Sequence, residues 1–329
     1  MSVPPTNLTD MTADALTTRP LGSGPQVSLV GLGGNNFGRP GSATESLAGT
    51  DAVIGAAIDE GITLIDTADI YNAGVSEELI GRTLTGSRRE QVVIATKFGH
   101  QNATAPGAEE WGPKGGATYI RKACEASLRR LGVETIDVYQ MHTPDPETPI
   151  LETLTALHEL VTEGKVRHIG SSQFTGAMIR EADRVAAEHG LTPFISAQNL
   201  YSLLERGIEA DDLPAMREVG VGLLPFFPLA SGALSGKYRR DHAPEGSRLA
   251  ARPEILEGLD WDRLESYRAL CERADVPMVE ASIGWLLAQP GVASVISGAT
   301  TPDQVRANAA AGRRGLDPAF LAEVDALFA

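Results

Sequence analysis

Cysteine is nearly absent from this chain: 329 residues contain two, Cys124 and Cys271, far apart and each in a helical context. They make no CxxC pair and no Cys/His ligand spacing, so they read as reduced, buried thiols. Histidine is also sparse. The six residues are scattered, and without an HExxH or comparable His/carboxylate pair no metal site is expected. Basic residues are outnumbered, 28 Lys and Arg against 43 Asp and Glu, for a net charge of −15. That balance argues against nucleic acid or an anionic membrane surface as the main partner. No apolar run is long enough to span a bilayer. The opening MSVPPTNLTD has neither a basic n-region nor an apolar h-region, so no signal peptide is expected and the protein is expected in the cytoplasm. No Pro/Ser-rich linker or composition shift divides the chain. One domain over 17–329 is therefore expected, behind a polar, mobile arm at 1–16.

What is present is an alternation of short apolar runs with helical periodicity. Arg19–Ser28 reads as a hairpin around Gly-Ser-Gly-Pro. Buried strands are expected at Leu29–Gly34, Thr63–Asp66, Val92–Lys97, Ile136–His142, Val166–Ser172, Ile195–Asn199, Val221–Phe226 and Ala293–Ser297. Helical patterns lie between them, and Phe227–Gly258 is a long irregular stretch. Eight strands, each followed by a helix, can close through right-handed crossovers into a (β/α)8 TIM barrel with an N-terminal β-hairpin and extra C-terminal helices. The rival is a doubly wound open sheet, which needs a phosphate-binding glycine loop after its first strand. GLGGNNFG (Gly31–Gly38) fails that test, because Asn36 stands where the third glycine belongs and no helix opens there. SGALSGKY (Ser231–Tyr238) fails as a Walker A loop, with Ser231 for its first glycine and Tyr238 for the metal-binding hydroxyl residue.

Four polar residues gather at successive strand ends: Asp66, Tyr71 on the turn beyond it, Lys97 and His142. The C-terminal mouth is where a barrel of this kind builds its active site. A phenol and an ammonium have ordinary pKa values of about 10 and 10.4, neither suited to proton exchange at neutral pH. A cationic Lys97 beside Tyr71 is expected to favour the phenolate and lower the tyrosine pKa, with Asp66 keeping Lys97 charged and oriented. His142 can donate to a carbonyl oxygen. The plainer alternative is a buried Lys–Asp ion pair with a hydrogen-bonded tyrosine; the convergence of all four favours catalysis.

The segments Gly61–Gly81, ATKFG (Ala95–Gly99), YQMH (Tyr139–His142), GKVRHIGSSQF (Gly164–Phe174), QNLYSLLER (Gln198–Arg206) and PLASGALSGKY (Pro228–Tyr238) resemble the aldo-keto reductase superfamily, in the bacterial branch that also resembles potassium-channel beta subunits. The resemblance implies an NADP(H)-dependent reduction of an aldehyde or ketone, with the cofactor lying across the barrel mouth. It implies Tyr71 as general acid, tuned by Lys97 and Asp66, and His142 orienting the carbonyl. Ser172, Gln173 and Gln198 match the positions around the nicotinamide carboxamide, and Phe226 the aromatic that stacks on its ring. Leu229, Ser231, Lys237 and Arg248 match pyrophosphate-loop positions; Gly298, Thr300, Gln304 and Asn308 match the adenosine and 2′-phosphate site.

The chain departs from that pattern at Phe226, commonly Tyr or Trp, at Phe227, usually Ser, and at Ala307, often acidic. NADP(H) is favoured over NAD(H) through the Gly–Ala–x–x–x–x–Gln pattern at Gly298–Gln304, although Thr300 and Thr301 can equally cap the following helix. Asn36, Phe37 and Trp111 are candidates for the substrate pocket, with Trp111 as readily a pin between loop and barrel rim. A slow-turnover nucleotide or redox sensor is the alternative to an enzyme acting on a small carbonyl compound.

Overall fold

The computed structural model describes residues 16–329. The expected arm at 1–16 lies outside them except for Leu16, which is buried in the core. The hairpin is β1 (Thr18–Pro20) and β2 (Gln26–Ser28), followed by β3 (Val30–Gly33), α1 (Leu47–Asp59), β4 (Leu64–Asp66), α2 (Val75–Thr83), the short α3 (Ser87–Glu90) and β5 (Val93–Phe98). Next come α4 (Ala117–Leu131), β6 (Ile136–Met141), α5 (Ile150–Thr162), β7 (Val166–Ser172), α6 (Gly176–His189) and β8 (Phe194–Gln198). The chain ends with α7 (Asp212–Val219), β9 (Gly222–Leu223), α8 (Pro253–Glu257), α9 (Trp261–Arg273), α10 (Met278–Ala288), β10 (Val295–Gly298), α11 (Pro302–Arg313) and α12 (Pro318–Leu327).

Eight strands form one parallel sheet in the order β10-β3-β4-β5-β6-β7-β8-β9. It closes through parallel bridges Leu223↔Val292 and Phe226↔Ile296, so the expected (β/α)8 barrel is present. The strands read as near-continuous apolar runs because helices cover the outside and side chains fill the inside. Leu64, Ala95, Val138, Ile195, Leu224 and Ile296 meet in the interior, where Leu21 and Val27 from the hairpin join them. The hairpin therefore plugs the N-terminal end and leaves the C-terminal end open for polar groups. Local signals end the helices where expected: Thr175 caps α6 by accepting from the Met178 N–H, and Gly190 stops it in the left-handed conformation at φ 63°.

The expected strand Val221–Phe226 shortens to Gly222–Leu223. Pro225 has no N–H to donate, so the ladder lapses and resumes as a single bridge at Phe226. The stretch expected to be irregular, Phe227–Gly258, holds a 3₁₀ turn at Ala230–Ser235 as well as α8.

Helices α2 and α4 pack so closely that a Cβ on Gly81 would lie 2.4 Å from the Leu131 carbonyl oxygen. On helix propensity alone, Gly81→Ala would stabilise by about 1 kcal/mol. The clash with backbone reverses the sign, so we expect a net loss of roughly 1–3 kcal/mol, read as a lower urea midpoint at unchanged m-value. An equal or higher midpoint would show that this contact is not tight.

Candidate active site

Strand register brings the polar residues together. Asp66 on β4 pairs with Ala95 on β5, and Lys97, two residues further along β5, pairs with Gln140 on β6. Lys97 is fully buried, yet its ammonium has three oxygen neighbours: Asp66 Oδ2 at 2.6 Å, the Thr67 carbonyl at 2.8 Å and the Tyr71 hydroxyl at 3.4 Å. The other carboxylate oxygen, Asp66 Oδ1, accepts from the side-chain amides of Gln140 at 3.2 Å and Gln198 at 2.9 Å. A buried charge survives only when paired and hydrogen-bonded, and both partners here are saturated. Burial acts against the Lys97 ammonium, but the Asp66 carboxylate and the Tyr71 hydroxyl outweigh it and hold its pKa above the usual lysine value.

Tyr71 is carried by a turn rather than a strand. Its N–H donates to the Ala68 carbonyl, and Asn72 and Ala73 follow with φ of 49° and 56°. The Asn72 amide clips this turn to the loop after β3 through the carbonyls of Asn35 at 3.1 Å and Phe37 at 2.7 Å. Contrary to expectation, the Tyr71 pKa is raised, not lowered: burial of the phenol exceeds the opposing pull of Lys97, and Asp66 adds to the rise. His142 follows β6, its N–H donating to the Phe98 carbonyl at 2.7 Å, and its ring meets Tyr71 edge-on with centroids 5.8 Å apart. Burial, then Lys97 and His100, push its pKa well below the usual histidine value, so the imidazole is neutral. Its Nδ1 is buried without a partner.

Gln140 was not foreseen, although it lies two residues before His142 and hence on the same face of the strand. Behind Tyr71 lies a second polar cluster that the sequence reading also missed. Glu77, at the start of α2, is fully buried and accepts from Thr96 at 2.5 Å and Arg130 at 2.7 Å. Asp69 is also fully buried, and neither of its carboxylate oxygens makes a hydrogen bond. Burial and the Glu77 charge push its pKa up to about 8, against weaker opposing pulls from Arg130, the Ile70 backbone and Lys114.

The residues matched to a cofactor ring the same mouth. Ser172 on β7 pairs with Gln198 on β8. Gln173, next in line, donates to the His142 carbonyl at 3.2 Å. Phe226 is half-buried at its isolated bridge and packs edge-on against Phe227, centroids 5.4 Å apart. Beyond it, Leu229 precedes the 3₁₀ turn, and Ser231 and Gly232 adopt φ of 57° and 104°. Of the seven non-glycine residues with positive φ among the described residues, six sit on loops at this mouth: Asn72, Ala73, Gln173, Phe227, Ala230 and Ser231. Such strain clusters at ligand sites, and here the turn holds itself through the Ala230 N–H to the Phe227 carbonyl at 2.9 Å and the Gly232 N–H to the Leu229 carbonyl at 2.8 Å. Lys237 stands over the Tyr238 ring at 5.1 Å, and Arg248 donates to the Asn36 side-chain oxygen at 3.0 Å. Gly298 ends β10 beside Asn36. Thr301 caps α11, while the Gln304 side-chain oxygen accepts from the Thr300 N–H at 2.8 Å and hydroxyl at 3.2 Å. Asn308, a turn further along α11, is buried. An extended nicotinamide dinucleotide fits this set, which runs from the neutral side chains of Ser172, Gln173 and Gln198 to the cations Lys237 and Arg248 beyond Phe226.

The three substrate-pocket candidates separate. Phe37 is completely buried in the hydrophobic core; its position beside Gly34 and Gly38 allows the ring to turn inward. Asn36 faces Arg248 rather than Tyr71. Trp111 stacks edge-on against Tyr119 of α4, centroids 5.6 Å apart, with Lys122 5.9 Å from its ring, which is the pinning arrangement.

The family model described as the aldo/keto reductase family matches residues 29–329. The chain is 35% identical over 313 residues to the uncharacterized oxidoreductase YrpG of Bacillus subtilis, covering 93% of this chain and 94% of that one. It is 36% identical over 269 residues to the probable aldo-keto reductase 1 of Glycine max (80% and 75%). It is 37% identical over 264 residues to the NADH-specific methylglyoxal reductase of Escherichia coli (76% and 78%). No helix among the described residues is long and apolar enough to cross a membrane.

Asp69 makes stability depend on pH in a definite direction. Its carboxyl ionises near 3.8 when free and near 8 in the fold. Below pH 4 both states are protonated; from pH 4 to 8 the unfolded chain loses the proton and the folded one keeps it, so stability falls as pH rises. Asp69→Asn removes that term. Its melting temperature should equal the parent's near pH 4 and exceed it by several degrees at pH 9, on the scale of roughly 2 °C per kcal/mol for a chain this long. A difference independent of pH would contradict a protonated Asp69.

Proposed function

Because the chain belongs to the aldo/keto reductase family, we propose that it reduces an aldehyde or ketone to the alcohol with NADP(H), and that Tyr71 supplies the proton to the carbonyl oxygen. The observation that carries this reading is the Tyr71 hydroxyl 3.4 Å from a buried ammonium that is itself held by Asp66. When bound, the nicotinamide supplies the hydride that adds to the carbonyl carbon. The chain supplies everything else the reaction needs.

As the carbonyl carbon is reduced, negative charge develops on its oxygen. Tyr71 is a neutral phenol at physiological pH, since burial raises its pKa, so it holds a proton to give. Once it gives that proton, the phenolate lies beside Lys97, where a fixed positive charge in a water-poor setting is worth far more than in bulk solvent. Asp66 balances Lys97 before and after the step, so the pair needs no rearrangement. Neutral His142 offers a ring N–H without placing a second cation beside Lys97, which suits it to orienting the carbonyl oxygen. In the reverse direction the phenolate removes the alcohol proton.

Ser172, Gln173 and Gln198 are proposed to hold the carboxamide, and Phe226 to stack on the ring. Leu229, Ser231, Lys237 and Arg248 are assigned to the phosphates, and Gly298, Thr300, Gln304 and Asn308 to the adenosine end. The preference for NADP(H) is part of the same proposal; the Escherichia coli relative named as NADH-specific makes it a point to test.

Tyr71→Phe should lower kcat for carbonyl reduction by about 10²–10⁴-fold, the usual contribution of a general acid, with the NADPH dissociation constant within about twofold of the parent. Steady-state turnover and cofactor fluorescence titration measure the two. Turnover close to the parent's would remove Tyr71 from the mechanism.

A further inference from the structure

The loop between β5 and α4 is fixed at several points beside His142. Thr143, the next residue along, donates its hydroxyl to the Gly99 carbonyl at 3.1 Å and accepts from the Gln101 N–H at 2.8 Å. The Lys114 ammonium donates to the carbonyls of His100, Gln101 (3.1 Å) and Ala103 (2.8 Å). At the far end the Gly115 N–H donates to Asp145 Oδ2 at 2.7 Å, and the Gly115 carbonyl accepts from the Thr153 hydroxyl at 2.8 Å. These ties set the position of one ring. His100 is half-buried and stands edge-on against His142, centroids 4.7 Å apart and planes at 84°, and His142 in turn meets Tyr71 edge-on. The Asn102 N–H donates to His100 Nδ1 at 3.2 Å. A neutral imidazole carries its proton on the nitrogen that is not accepting. Nε2 therefore holds it, and that N–H has no partner among the described residues.

We propose that His100 is a specificity-determining residue whose Nε2–H binds a neutral oxygen on the carbon next to the reacting carbonyl, so that the protein selects α-hydroxy and α-oxo carbonyl compounds. Given the proposed reductase chemistry, on which this inference rests, His142 faces the carbonyl oxygen, and the ring packed against it stands beside the neighbouring carbon. Two donors on adjoining edge-on rings match two oxygens on adjacent carbons.

Charge selects the kind of oxygen. Burial and then Lys114 lower the His100 pKa, which keeps the ring neutral at physiological pH. An ammonium has three donors, and those of Lys114 are taken by three backbone carbonyls. The loop therefore presents a neutral donor and no free cation at this point, which suits an alcohol or ketone oxygen better than a carboxylate. A substrate with a methylene in the same place leaves the His100 N–H without its partner, and sites built to hydrogen-bond a substrate oxygen discriminate in this way.

The test compares the parent with His100→Phe and His100→Gln on two pairs of ketones. Hydroxyacetone and butanone have nearly the same shape and differ in one oxygen beside the carbonyl; diacetyl and methyl isopropyl ketone differ likewise. His100→Phe keeps a ring against His142 and removes the donor. KM for hydroxyacetone and diacetyl should then rise about tenfold, the scale of one hydrogen bond. Their kcat, and KM for the two plain ketones, should stay within about twofold of the parent. His100→Gln, whose amide can donate, should recover part of the loss. A contrast in either pair upholds the donor and names the oxygen it takes. Equal changes within both pairs, or no change in any, overturn the proposal. Dissociation constants for hydroxyacetone and butanone, taken by saturation-transfer NMR without turnover, keep the two readings apart. Selective loss of hydroxyacetone in His100→Phe, in a protein that reduces no ketone, would uphold the His100 donor and sink the reductase reading instead.

Discussion

Lys97 sets the terms for the whole mouth of the barrel. A bare ammonium inside a protein costs several kcal/mol, so its burial obliges the surroundings to supply a carboxylate, a carbonyl and a polar hydroxyl at fixed positions. Asp66, the Thr67 carbonyl and Tyr71 are those groups. Asp66 in turn imposes its own requirement, met by amides from β6 and β8 on the far side. One charge therefore ties together four strands, β4, β5, β6 and β8, and a turn. The same saturation leaves the Tyr71 hydroxyl as the member of the set that can exchange a proton with something arriving from outside.

The barrel divides its labour by end. The hairpin seals one end with Leu21 and Val27 against interior aliphatic side chains, and the other end collects strain and charge. Left-handed residues stand on the loops beyond β4, β7 and β9, at Asn72, Gln173 and Phe227. Such conformations persist only where the surrounding structure enforces them. The rigid sheet does that here, and the Asn72 bridge couples the Tyr71 turn to the loop after β3.

Much of this was legible in the residues. Strand ends were visible because parallel strands, covered on both faces, leave apolar runs that stop abruptly at a polar residue, as at Asp66, Lys97 and His142. Strand β7 and helices α6 and α9 fell where periodicity placed them. The misses share a cause: they depend on contacts between segments far apart in sequence. Phe37 looked like a pocket residue because its loop is at the mouth, yet its ring packs into the core. Asp69 drew no attention in the sequence, and only its burial beside Glu77 shows that it is held protonated, against the weaker opposing pull of Arg130. The direction of the Tyr71 shift was misjudged because the pull of a neighbouring lysine can be read from adjacency, whereas the larger effect of burial cannot.

The central claim is that Tyr71 rests as a neutral phenol beside a permanently charged Lys97. The most direct measurement is the ¹³C shift of the tyrosine Cζ in labelled protein, followed against pH and assigned by comparison with Tyr71→Phe, since the chain has only six tyrosines. The account predicts the neutral-phenol shift from pH 6 through the ordinary tyrosine value of 10.0, with ionisation above it. A phenolate shift at Tyr71 between pH 7 and 9 would contradict it.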